Sequence, residues 1–121
     1  MRHTARAIII QDKKILLVTG RDKGHFWTPG GKLEVGESSE EALHRELAEE
    51  LNVRIAEYQH FSSYVYKDQK VDNFLVKVKG DVTPSNEISD FLWYDSSSSL
   101  DISPGFKQML LPELIKNQYI N

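Results

Sequence analysis

Apolar residues follow two rhythms along this chain. Ala7-Ile8-Ile9-Ile10 and Ile15-Leu16-Leu17-Val18 are short β-type runs, and the polar Gln11-Asp12-Lys13-Lys14 between them predicts a hairpin. Residues 53–66 and 71–79, rich in Val, Ile, Tyr and Phe, predict a second hairpin, and residues 88–94 one more strand. The rhythm changes to a helical period over 38–51, where Leu43, Leu47 and Leu51 form a narrow apolar stripe. Ser38 with Glu41 three residues on is a capping-box pattern, and Asn52 suits a left-handed helix end. Residues 20–36, centred on Pro29-Gly30-Gly31, read as a loop with room for a short strand. Ser96 to Ser99 reads as a solvated connection. Residues 104–119 predict a helix that Pro112 must kink or split. Strands, helix, strands, helix in this order predict an α+β domain spanning 1–121, with a mixed sheet flanked by helices.

Composition narrows the chemistry. The chain has 121 residues, 40% hydrophobic and 27% charged, as in an ordinary globular domain. It has no cysteine, which excludes disulfides, thiolate metal sites and cysteine nucleophiles. Any metal must be held by oxygen or imidazole, which favours hard cations, Mg²⁺ first and Mn²⁺ as a possibility. Fifteen basic against 18 acidic residues give a net charge of −3, without the basic excess of a duplex nucleic-acid binder. A small anionic partner fits if a bound cation carries the positive charge. The apolar start is cut short by Gln11 to Lys14, too early for a secretory signal, and no run is long enough for a membrane span. The expectation is a cytoplasmic protein, monomer or homodimer, with no membrane partner.

The predicted helix carries the chemistry. Successive residues advance about 100°, so Glu46, Glu49 and Glu50 share a face beside the leucine stripe. Glu50 falls nearest the leucines and is expected to be partly buried. Three carboxylates so placed repel one another and lose solvation, and a divalent cation would relieve both. Arg45, one turn before Glu49, is placed to orient a carboxylate and keep it ionised; its plainer reading is a surface ion pair. Glu37, just before the helix, complements the N-terminal dipole.

Gly31, five residues, Glu37, seven residues, Arg45-Glu46-Leu47-Ala48-Glu49-Glu50-Leu51-Asn52-Val53 resembles the Nudix box. Every fixed position agrees except the final glycine, which is Asn52 here. Pro29-Gly30 and the pair Phe26-Trp27 before the box also look like members of that family. The resemblance implies an α/β/α sandwich with a mixed, curved sheet and hydrolysis of a nucleoside diphosphate linked to another group. It implies that Glu49 and Glu50 hold the metal and that Glu46 is either a ligand or the general base. It further implies that the Gly30 carbonyl joins the metal shell and that Glu37 ties the loop to the helix, through Arg45.

A later acidic residue, Glu87 or Asp90, is expected by the same resemblance to reach the metals or the attacking water. Arg6, Arg21, Lys23 and Lys32 are candidate phosphate contacts, each with the alternative of a plain surface charge. Asn73 or Tyr64 is placed to contact a base between the hairpins. Tyr64, Tyr66, Phe74 and Trp93 otherwise read as core or sheet-face residues. His3, His25, His44 and His60 show no paired metal spacing and read as non-catalytic. The small chain most resembles the MutT-like subgroup, which releases pyrophosphate from nucleoside triphosphates, often oxidised purine nucleotides. Alternatives are hydrolysis of ADP-ribose or dinucleoside polyphosphates, or a Nudix domain that senses a nucleotide without cleaving it.

Overall fold

A computed structural model describes residues 1–121 except 21–23 and 86. The order is β1 (Arg2–Ile8), β2 (Ile10–Gln11), β3 (Lys14–Gly20), β4 (Gly30–Lys32), α1 (Ser39–Leu51), β5 (Arg54–Tyr66), β6 (Gln69–Lys79) and β7 (Ile88–Tyr94). A π-helical turn, Phe106–Leu110, then leads into α2 (Leu111–Lys116).

The mixed sheet is divided in two. One sheet has the order β4-β1-β6-β5, with β1 and β6 parallel and the outer pairs antiparallel. The other, β2-β3-β7, is antiparallel throughout. The first hairpin forms as expected, closed by Asp12 and Lys13 at φ 52° and 61°, a two-residue turn of the kind that matches strand twist. Its leading strand differs from the reading of 7–10: β1 starts at Arg2, and the chain changes sheet at Ile9. The polar Arg2-His3-Thr4 carries no apolar signal, and pairing with Gln69 to Val71 of β6 is what makes it strand.

Two cores lie on opposite sides of the strands. Ala5, Ala7, Leu16, Val18, Phe74 and Val76 meet the α1 residues Ala42, Leu43, Leu47 and Leu51. Ile8, Ile15, Leu17 and Tyr94 meet Phe106, Leu110, Leu111 and Leu114. β3 therefore feeds both cores with alternate residues, which is why its apolar run is unbroken. The result is an α/β/α sandwich.

The C-terminal helix is split, as Pro112 requires. Proline has no N–H for the residue four back. The Leu111 N–H instead reaches Phe106 O, five residues back, and α2 takes over there. Helical structure ends at Lys116, short of residue 119, because Gln118 at φ 62° turns the chain back.

α1 begins with the full capping box: Ser38 Oγ accepts from the Glu41 N–H, and the Glu41 carboxylate accepts from the Ser38 N–H. It ends at Asn52, φ 57°, whose Nδ2 donates to Thr83 O at 2.8 Å. Asn52 thus adopts the left-handed conformation and also ties the following loop to the helix end. Asn52→Ala should destabilise the protein by about 1–2 kcal/mol, combining the left-handed penalty with one lost hydrogen bond. Urea denaturation of the two proteins measures this directly.

Candidate active site

The site is built where the α1 face meets β4. Gly30 and Gly31 permit that meeting. A Cβ on Gly30 (φ +134°) would lie 2.1 Å from Ala5 O, and one on Gly31 would lie 2.6 Å from the Glu46 carboxyl carbon. At Gly30 the obstacle is backbone and only glycine fits, whereas at Gly31 a side chain would displace the Glu46 carboxyl. Glu50 Oε1 accepts the Gly30 N–H at 3.0 Å. Burial pushes the Glu50 carboxyl up to about 7, against that hydrogen bond; the charge of Glu46 adds to the rise and that of Arg6 opposes it.

Arg45 is the hub of the loop and helix. Its Nε and Nη2 donate to the two Glu37 oxygens at 2.7 and 2.9 Å, a bidentate pair. Nη1 donates to Glu46 Oε1 at 2.9 Å and Glu49 Oε2 at 3.4 Å, and Nη2 also to Lys32 O at 3.2 Å. The bond from Arg45, with the Glu34 N–H donating as well, holds the Glu37 carboxyl at about 2. The same pairing raises the Arg45 pKa. Sequence reasoning placed Arg45 beside Glu49 and suggested Glu37; it missed Glu34, 3.2 Å from Nε, and the Lys32 carbonyl.

Arg6 differs from the surface charge considered for it. Its Nη1 donates to Thr28 O at 3.0 Å and Gly30 O at 3.1 Å. Burial lowers its pKa, opposed by Glu50, Tyr64 and Glu46. Arg6 lies on the sheet face away from α1 and lines a cavity of about 270 Å³. Arg2, Tyr64, Tyr66, Gln69 and Val71 form one wall; His25, Trp27, Thr28 and Ser103 to Phe106 form the other. The cavity and the carboxylates thus lie on opposite sides of β4, with the Gly30 peptide and Arg6 between them. Two grooves of about 470 and 650 Å³ flank the far end of β6 and include none of these groups.

The other expected residues fall in different places. Lys32 has an exposed side chain and borders a depression with Arg45 and Glu46. Asn73 is fully buried, one row deeper than the cavity wall, whereas Tyr64 is on it. Glu87 is exposed, with no hydrogen bond or ion pair among the described residues. The segment before it is docked on α1, through Thr83 N–H to Leu51 O and Ser85 N–H to Glu50 O, both 2.9 Å. Asp90 accepts its neighbour's Phe91 N–H. Arg21 and Lys23 lie outside the described residues. His25 and His44 stack edge-on against Trp27 and Tyr58. His60 pairs with Ser63. Among the described residues no three carboxylate or imidazole groups are gathered as a ready metal cage.

One cluster had no forerunner in the sequence. Asp72 Oδ2 accepts from Ser39 Oγ at 2.6 Å and meets His3 Nε2 at 2.6 Å, while Oδ1 accepts from Ser63 Oγ at 2.6 Å. Burial would raise the Asp72 carboxyl, but these donors outweigh it and hold it at about 2. The cluster pins the first turn of α1 to β1, β5 and β6. Only the strand register, which sets Asp72 opposite Ser63, reveals it.

Comparison with known proteins agrees with this geometry. The model of the NUDIX domain matches residues 1–109. The 8-oxo-dGTP diphosphatase of Buchnera aphidicola is 32% identical over 90 residues, 70% of this chain and 73% of that protein. The NAD-capped RNA hydrolase NudC of Pasteurella multocida is 33% identical over 89 residues, 69% of this chain. The aligned part of this chain spans 34% of that longer relative. In structure, MutT from Aliivibrio salmonicida and Vibrio cholerae superposes with a TM-score of 0.81 at 24% identity, over 96% of this chain and 98% of that one. No helix among the described residues is long and apolar enough to cross a membrane.

The opposite shifts of Glu50 and Glu37 separate two pH windows. Glu50, raised from 4.5 to about 7, favours the fold most when protonated. Its stabilisation is complete below about 4.5 and is lost as pH rises through 7. Glu37, lowered to about 2, stabilises above 4.5 and loses that contribution as pH falls towards 2. In chelator, the melting temperature of Glu50→Gln should therefore gain on wild type between pH 4.5 and 8. A constant difference across that range would show that Glu50 titrates as an ordinary surface acid.

Proposed function

The chain belongs to the NUDIX family, whose named relatives here are hydrolases of phosphoric anhydride bonds, and from that premise we propose a cation-dependent nucleoside triphosphate pyrophosphohydrolase. The observation that carries the reading is the juxtaposition across β4: carboxylates on one side, an aromatic-walled cavity on the other, and Arg6 between them. A nucleoside in the cavity would bring its phosphates to the Gly30–Gly31 edge. Trp27, Tyr64 and Tyr66 offer flat apolar surface to a base, and Arg2 and Gln69 offer polar atoms at the same wall.

The donor chemistry fits a divalent cation. Every candidate ligand is oxygen, as Mg²⁺ or Mn²⁺ prefers. Burial disfavours the charged form of the Glu50 carboxyl, and a cation beside it would favour that form. The ligands proposed are Glu46, Glu49 and Glu50 with the Gly30 carbonyl. Glu46 and Glu49 would have to turn from Arg45 to take that role. When bound, the cation would neutralise the diphosphate and activate a water for attack on phosphorus. Arg45, fixed by its bidentate pair with Glu37, would hold Glu46 and Glu49 at the strand edge until the cation takes them.

MutT-like cleavage, giving a nucleoside monophosphate and pyrophosphate, is the preferred outcome, with modified purine nucleotides the first substrates to try. The Buchnera relative, aligned over most of its own length, supports this over the much longer NudC proteins.

Activity should need a divalent cation and vanish in EDTA; full turnover in chelator would overturn the metal reading. Glu50→Gln should lower kcat by about 10³-fold or more, as loss of other essential electrostatic groups does. Near wild-type turnover would leave Glu50 as a helix-face charge. Product chromatography over canonical and oxidised nucleoside triphosphates, ADP-ribose and diadenosine polyphosphates tests the substrate. A tenfold (roughly 1.4 kcal/mol) preference for ADP-ribose or a diadenosine compound over every triphosphate would overturn the substrate while leaving the hydrolase. Cleavage of none of them would favour a nucleotide-sensing domain.

A further inference from the structure

Arg6 is already acting as a cation at the place where a metal is proposed to bind. Its Nη1 spends both hydrogens on Thr28 O and Gly30 O, at 3.0 and 3.1 Å. Its Nε and Nη2 have no partner among the described residues. The side chain leans from β1 towards β4. On the other side of β1, the register partner of Arg6 is Asn73 on the parallel strand β6. Both residues face away from α1, since Ala5, Ala7 and Phe74 beside them face towards it.

Asn73 is fully buried, and its Oδ1 has no hydrogen-bond partner. Its Nδ2 donates to Ser62 Oγ on β5 at 3.4 Å. A buried acceptor left unpaired is costly, and native folds seldom keep one without a use. Adjacent strands lie about 4.8 Å apart, so a long guanidinium side chain on β1 can reach the neighbouring position on β6.

We propose that Arg6 is a positioning residue with two resting places: the Gly30 carbonyl in the metal-free protein, and Asn73 Oδ1 once a divalent cation takes that carbonyl. This rests on the reading of Gly30 as a metal donor. A guanidinium and a dication on one carbonyl repel each other, so binding of one disfavours the other. Asn73 supplies a vacant acceptor at the register position of Arg6 on the neighbouring strand. In the metal-free state Arg6 partly offsets the negative charge of Glu46 and Glu50. After the exchange the Gly30 carbonyl is left to the cation, and the Arg6 charge stays on the sheet face away from α1, nearer β6.

The test is Mn²⁺ binding in the absence of substrate, by titration calorimetry, in a double-mutant cycle. Asn73→Leu removes the second acceptor and should strand Arg6 on Gly30. Mn²⁺ affinity should fall by about tenfold, within the usual range of coupling between sites. Arg6→Met removes the competitor. In that background Asn73→Leu should change affinity by less than about twofold, because nothing remains for Asn73 to receive. Asn73→Val, with a smaller side chain, repeats the cycle if Asn73→Leu does not fold, and circular dichroism checks each variant. Equal weakening with and without Arg6, or no weakening in either, overturns the exchange. Wild-type protein that binds no Mn²⁺ overturns the metal reading itself, a result distinct from a failed cycle.

Discussion

The structure turns on how closely a helix and a strand edge can approach when the strand has no side chains. At Gly31, the Glu46 carboxyl occupies the space a Cβ would need, and at Gly30 the Ala5 carbonyl does. That closeness brings the Gly30 N–H to Glu50 and the Gly30 carbonyl to Arg6. One glycine is thus gripped by opposite charges at its N–H and at its carbonyl. The leucine stripe of α1 sets the depth of the helix, and the Asp72 cluster fixes its first turn against the sheet. A side chain at Gly30 would push β4 off β1, and one at Gly31 would displace the Glu46 carboxyl from the strand edge.

Three carboxylates on one face of a short helix would repel, yet the protein folds with them in place. Arg45 answers Glu37, Glu46 and Glu49 from a single guanidinium, leaving Glu50 to the Gly30 N–H and the nearby Arg6. Glu37 is the most strongly held of these, with two bonds from Arg45, and its carboxyl shifts down accordingly. Glu50 is the least compensated, and its carboxyl shifts up. The electrostatic strain is therefore concentrated on the one carboxylate that lies deepest at the strand edge.

Much of this was legible in the sequence because local rules govern it. The capping pair Ser38 and Glu41, the leucine stripe, Asn52 at the helix end and the break at Pro112 are each decided within a few residues. The burial of Glu50 followed from its angle to Leu47 and Leu51. What escaped was decided across the sheets. The N-terminal start of β1 depends on pairing with β6, 67 residues later in the register Arg2 to Gln69. The burial of Asn73, the gathering of His3, Ser39 and Ser63 on Asp72, and the position of Arg6 depend on strand order. A period-two reading identifies a strand, but not its neighbours.

The cavity shows the same division. Tyr64 and Tyr66 repeat every second residue along β5 and so share a face, which the sequence permits one to see. The opposite wall comes from Trp27 and from Ser103 to Phe106, brought in by the bridges Val18 to Trp27 and Phe26 to Ile102. Residues from three distant parts of the chain thereby enclose a space beside an arginine that also touches the Gly30 carbonyl. The family box supplies the carboxylate side of β4, while the cavity side is formed by residues outside it. In the proposed function, chemistry and substrate choice would thus fall to different segments, and Arg6, itself outside the box, touches the same glycine as Glu50, at its carbonyl rather than its N–H.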